Sequence, residues 1–132
     1  MADTSTAFDW TAALIPEEKF TGYSMNPSNT NNLGKHQAFQ ALGYKLDTAD
    51  ERARAADDVI GQLRTALPPE GIPREHPSQY GRRAEVRTPL VGPSGSKATL
   101  VTVWQADNHG NVPRLITNWA EVHVKGGKDA KP

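Results

Sequence analysis

A chain of 132 residues with 15 basic and 15 acidic side chains and 36% apolar residues has material for one hydrophobic core and little to spare for a second. It contains no cysteine, which excludes disulfides, thiolate zinc sites and thiol nucleophiles. No apolar run reaches membrane-spanning length and no basic-then-apolar leader opens the chain, so a soluble protein is expected. The balanced charge argues against a strongly basic nucleic-acid binder, although the half beyond residue 68 is the basic half.

The ends are polar: residues 1–10 are expected to be an N-terminal tail, without fixed structure over 1–6, and 125–132 a disordered C-terminal tail, around a single domain at 11–124. Phe8 and Trp10 begin the first apolar patch. Ile15-Pro16-Glu17-Glu18-Lys19 has the proline and acids of a short helix start, and Tyr23 to Asn32 reads as a loop rich in asparagine and serine. Gly34 to Leu42 predicts a short helix closed by Gly43, with Lys35 and His36 in its first turn. Thr48 to Leu67 predicts a long helix: Thr48 and Glu51 form a capping-box pattern, and Ala49, Ala53, Ala56, Ile60, Leu63 and Leu67 recur at spacings of three and four. Pro68-Pro69 ends it, and the stretch to Tyr80 reads as a proline-punctuated loop.

Three strand-like stretches follow: Arg83 to Leu90, Lys97 to Ala106 and Pro113 to Val124. Gly92-Pro93-Ser94-Gly95-Ser96 and Asp107-Asn108-His109-Gly110-Asn111 separate them, both too short for parallel crossovers. The expected fold is therefore α+β, with N-terminal helices packed on an antiparallel meander of three to four strands. Ala84, Val86, Thr88 and Leu90 share one face of the first strand, and Ala98, Leu100, Thr102 and Trp104 share one face of the next.

No phosphate-binding glycine loop, paired-histidine zinc motif or nucleophile elbow is present, and His36, His76, His109 and His123 are dispersed. No metal and no cofactor are expected. Lys35 and His36 beside Gly34 have the makings of a phosphate site: a mobile cation, an imidazole whose neutral form the helix start favours, and a glycine that lets an anion approach. The same residues are also ordinary first-turn polar groups. Were Thr102 to pair opposite Thr117, two hydroxyls would lie together on one sheet face, with Trp104 and Trp119 nearby. Arg83 and Arg87 project from one side of the first strand and suit either an acidic ligand or a wet sheet face.

The succession Ile15-Pro16-Glu17-Glu18-Lys19-Phe20-Thr21-Gly22-Tyr23, Gly34-Lys35-His36, Leu42-Gly43-Tyr44, Leu90-Val91-Gly92-Pro93-Ser94-Gly95, Thr102-Val103-Trp104 and Pro113-Arg114-Leu115-Ile116-Thr117 resembles an uncharacterised bacterial domain family found in polymorphic toxins and phage-associated proteins. That family is in turn similar to the small toxin nucleases of the barnase, EndoU, colicin and RelE type. The resemblance implies helices on an antiparallel sheet and metal-independent RNA cleavage by 2′-hydroxyl attack. It implies catalytic roles for His36, Lys35, Arg87, Thr102 and Thr117, with Gly34, Arg83 and Trp104 binding substrate. Its implied partners are RNA, tRNA included, and a cognate immunity protein, in the cytoplasm of the producing or target bacterium. A noncatalytic interaction module using the sheet face is the alternative.

Overall fold

A computed structural model describes residues 8–70, 74–78, 81–107 and 110–123. The C-terminal tail, the first seven residues and His109 lie outside the described residues, as does the side chain of His76. One long helix and several short elements precede a single sheet. A 3-10 turn at Trp10–Ala12, a π turn at Phe20–Ser24 and a second 3-10 turn at Thr30–Asn32 lead into helix α1 (Lys35–Ala41) and helix α2 (Ala49–Thr65). Strands β1 (Arg74–Ser78), β2 (Gly81–Val91), β3 (Lys97–Asp107) and β4 (Arg114–Val122) then pair antiparallel with their neighbours in that order. The chain is thus α+β, helices first and an antiparallel meander after.

Local chemistry explains most boundaries. The Thr48 side chain accepts from the Glu51 N–H at 3.1 Å while the Glu51 carboxylate takes the Thr48 N–H at 3.0 Å, completing the capping box that starts α2. At the other end of α1, the Gly43 N–H bonds the Gln40 carbonyl and the Tyr44 N–H the Phe39 carbonyl, with Gly43 at φ +101°. That is a Schellman closure, and it requires a residue at ease in the left-handed region. The helix start expected at Ile15–Lys19 continues further than the sequence indicates, because the Met25 N–H reaches back five residues to the Phe20 carbonyl at 2.8 Å.

Three expectations need correction. The loop expected between Pro68 and Tyr80 contains β1, which forms the sheet edge, where Pro77 is tolerated because only one side needs donors. The buried stripe of α2 is Ala55, Ala56, Val59 and Leu63, while Ala49 is exposed and Ala53 and Ile60 are only partly covered. Alanine on several faces of the helix makes the pattern ambiguous, and Val59 and Leu63 decide it. Finally, Thr102 lies opposite Asn118, and Thr117 lies opposite Val103, so the two threonines face opposite sides of the sheet.

One apolar cluster joins the buried face of α2 to Phe20, Met25, Phe39, Leu42 and Leu46 and to Val86, Leu90, Leu100, Trp104 and Leu115 of the sheet. A bulge in β4 places Leu115, rather than Ile116, opposite Trp104 and keeps it inside. Trp10 meets Trp104 edge-on at 5.3 Å and Phe8 at 5.5 Å, which covers the end of the sheet at Ala84 and Ala106. The helices therefore occupy one face. By alternation the other carries Arg83, Glu85 and Arg87 of β2, Val101, Val103 and Gln105 of β3, and Thr117, Trp119 and Glu121 of β4.

Candidate active site on the open face of the sheet

The open face holds two polar clusters that meet at Trp119. The first sits at the β4 edge, where α1 brings Lys35 within reach. Its Nζ donates to Tyr23 Oη at 2.7 Å and to Thr117 Oγ1 at 3.3 Å, and lies 5.5 Å from the Trp119 ring centroid. This ammonium, chiefly through that hydrogen bond, lowers the Tyr23 phenol below its ordinary pKa, against the opposing effect of partial burial, and Thr117 adds to the lowering. A lysine, an acidified phenol and a hydroxyl therefore converge on one point.

Tyr23 is held there from behind. Its neighbour Ser24 is fully buried and donates to Asn118 Oδ1 at 2.7 Å, and the Asn118 amide donates to the Lys19 carbonyl at 3.1 Å. Asn118 thus ties the π turn to β4 and fixes where the phenol emerges. Asn32, also buried, donates from its amide to the Tyr23 and Asn26 carbonyls at 3.0 and 2.8 Å.

The second cluster crosses the sheet. Arg87 donates to Glu85 at 3.1 Å on its own strand and to Glu121 Oε1 at 2.8 Å, two strands away. The Trp119 indole N–H donates to Glu121 Oε2 at 3.3 Å. The Arg87 bond first, then the indole, hold the Glu121 carboxyl below its ordinary range. Beyond it, His123 Nε2 lies 2.9 Å from Thr99 Oγ1, and Arg83 donates to Gln105 at 3.1 Å. Among the described residues, no three carboxylate, histidine or cysteine side chains come together as a metal-holding group.

The residues singled out from the sequence separate accordingly. Lys35, Thr117, Arg87 and Arg83 come to the open face. Thr102 and Trp104 are fully buried on the helix side, where the Thr102 hydroxyl donates to the Val86 carbonyl at 3.2 Å and accepts the Trp104 indole N–H at 2.8 Å. His36 turns away from Lys35 toward Asn32, with Nδ1 3.3 Å from its amide nitrogen. Gly34 has its N–H taken by Asn32 Oδ1 at 2.9 Å, so that donor is not offered to an anion. Tyr23, Glu121, Trp119 and Asn118 complete the site. Of these, the sequence marks Trp119 as a strand aromatic near Thr117 and Tyr23 only as the start of an asparagine-rich loop, which nothing local ties to a strand beyond residue 114.

Helices laid on one face of an antiparallel meander, with a polar constellation on the other, define a small α+β domain built to present a sheet face. Residues 8–122 match the family described as Domain of unknown function (DUF6883), and the chain belongs to that family. No curated protein matches the chain. Among solved structures it is similar to a chain of a contact-dependent growth inhibition toxin–immunity protein complex from Klebsiella pneumoniae 342. The two share 17% identity and superpose with a TM-score of 0.57 over 83% of this chain and 100% of the other. At that identity the likeness is one of fold. Among the described residues no helix is long and apolar enough to cross a membrane.

Proposed function

We propose that the chain is a small metal-independent ribonuclease of bacterial toxin type, with its reaction centre at Lys35, Tyr23 and Thr117. The observation that carries this is the Lys35 ammonium bonded to a phenol whose acidity it raises, at the rim of an open sheet face. In its ionised form Tyr23 takes the proton of a ribose 2′-hydroxyl. The 2′-oxygen then attacks phosphorus and expels the 5′-oxygen, leaving a 2′,3′-cyclic phosphate. Lys35 and Thr117 donate to the phosphate oxygens where charge accumulates. Water reaches an open face freely and protonates the leaving oxygen. Arg83 and Arg87 are assigned to neighbouring phosphates and His36 and Gly34 to shaping the site, while Thr102 and Trp104 belong to the core beneath the sheet. Its RNA substrates lie in the cytoplasm of the producing or target bacterium, and a cognate immunity protein would cover the same face.

The test is RNA cleavage in excess EDTA, with a DNA oligonucleotide of the same sequence as control, since DNA lacks the attacking hydroxyl. Cyclic phosphate ends are expected from RNA alone. Tyr23→Phe should lower turnover by roughly 10²- to 10⁴-fold, the usual weight of a proton-transfer group, with melting close to the parent. Activity lost to chelation and restored by a divalent ion, or a fully active Tyr23→Phe variant, would overturn the assignment.

One observation favours an interaction module instead. Leu33 is 88% exposed at φ +55°, a left-handed conformation that costs a leucine energy, on a loop braced by Asn29 and Asn32. An apolar knob held out at such cost suits insertion into a protein partner. Absence of RNA cleavage under all ionic conditions would make this the better reading.

A further inference from the structure

The ribonuclease reading leaves Trp119 without a task, and its surroundings give it one. Resting on that reading, we infer that the Trp119 indole is the platform on which the base beside the scissile phosphate stacks, and that Glu121 selects bases carrying an exocyclic amine.

Of the three tryptophans, Trp104 is sealed in the core and Trp10 is engaged edge-on by both Phe8 and Trp104. Trp119 is only partly covered, stands on the open face, and has no aromatic ring against it among the described residues. It is also held still. Val101, directly opposite on β3, is fully buried at its side, and the indole N–H is bonded to Glu121, which Arg87 fixes in turn. A flat π surface ordered before the ligand arrives loses little entropy when a base stacks on it, and stacking is indifferent to which base it is. The Lys35 ammonium lies over the ring, 5.5 Å from its centroid, a cation–π contact that puts the phosphate-binding group within a single nucleotide's reach of the stacked base.

Selection comes from the carboxylate. Glu121 accepts one bond at each oxygen, from Arg87 at Oε1 and Trp119 at Oε2, and each oxygen keeps a further lone pair on a side chain that is 47% exposed. A base stacked on Trp119 brings its edge to those lone pairs. Adenine, cytosine and guanine each offer an amine there, whereas uracil offers two carbonyls around one N–H and turns their partial negative charge toward the carboxylate. Arg87 is thereby a positioning residue for Glu121 as well as a cation.

The experiment uses the full chain and four probes, 3′-AMP, 3′-CMP, 3′-GMP and 3′-UMP, read by titration calorimetry in parent and variants and by tryptophan fluorescence in the parent, together with cleavage of RNA. The three amine-bearing nucleotides should quench the fluorescence and bind about tenfold more tightly than 3′-UMP. Trp119→Leu should weaken their binding by about 10- to 100-fold and raise KM for RNA more than it lowers kcat, and Trp119→Phe should restore most of the affinity. Glu121→Gln should abolish the preference over 3′-UMP. If Trp119→Leu, melting like the parent, cleaves RNA with unchanged KM and base preference, the platform is refuted while the ribonuclease reading stands. A parent preference for 3′-UMP, or a preference unaltered in Glu121→Gln, refutes the selection by Glu121. A parent protein that neither cleaves RNA nor binds any of the four nucleotides takes both readings down together.

Discussion

At the scale of single residues, the distinction that matters is between hydroxyls that reach solvent and hydroxyls that the core consumes. Thr117 and Thr102 are alike in sequence context, yet one faces Lys35 and the other is spent on a carbonyl and an indole. Thr102→Val should therefore cost about 1–3 kcal/mol, because the buried Trp104 N–H loses its acceptor, and leave RNA affinity unaltered. A denaturant melt and a binding titration separate the two effects. Tyr23 carries a prediction of a different kind. Because Lys35 holds its pKa below that of an ordinary phenol, the phenolate fraction, and with it kcat, should rise with pH along a limb whose midpoint lies below the ordinary tyrosine value. The linkage has the same sign for stability: with the folded pKa depressed, the contribution is present above the unfolded value and lost as pH falls through the folded one. A pH–rate profile checks the first part, and removal of Lys35 should move its rising limb upward. Sequence reasoning found Lys35 and Thr117 because cations and hydroxyls announce their chemistry. It could not find their meeting with Tyr23, which depends on contacts spanning more than eighty residues.

At the scale of elements, what was legible was what is local. The capping box of α2, the Gly43 closure of α1 and the alternation along β2 and β3 are each written within a few residues, and each is present in the fold. Thr48→Ala should lower stability by about 1 kcal/mol, read as a shift in urea midpoint with the slope unchanged. The buried side of α2 was not legible from alanines alone, since a methyl group hardly ranks one face above another. Val59, fully buried, supplies the test: Val59→Asp places a carboxylate in the core and should unfold the domain, whereas Ala49→Asp should be tolerated. A cooperative melt of Val59→Asp near the parent temperature would mean that α2 turns another side to the sheet. The register of β3 and β4 was out of reach for a related reason. A bulge and a loop set it, and a slip of one residue exchanges the faces of every side chain on the strand.

At the scale of the whole molecule, the open face exists because the other face is so fully committed. The turn between β2 and β3 docks on the end of α1, where the Ser94 N–H and hydroxyl both donate to the Leu42 carbonyl, at 3.1 and 2.9 Å. Gly92 passes so close that a Cβ there would overlap Leu42 backbone and side-chain atoms. Gly92→Ala should destabilise the domain by several kcal/mol, comparable to an overpacked core, and shift its thermal midpoint strongly downward. Gly95→Ala offers a contrast, since only its positive φ opposes the change and no atom stands in the way. The same corner settles how the sheet ends. Described pairing of β1 with β2 stops at Arg74 and Glu85, so among the described residues no strand flanks the far half of β2 on that side. Pro89 brings no N–H to that border, and the Gln62 side chain closes on Val91 from α2, donating to its carbonyl at 2.9 Å and accepting its N–H at 3.0 Å. A single amide thus plays the part of a missing neighbour, and a second copy of the chain finds no ladder there to extend. A domain that keeps one face of its sheet broad and open has in this way closed one stretch of its border to a further strand.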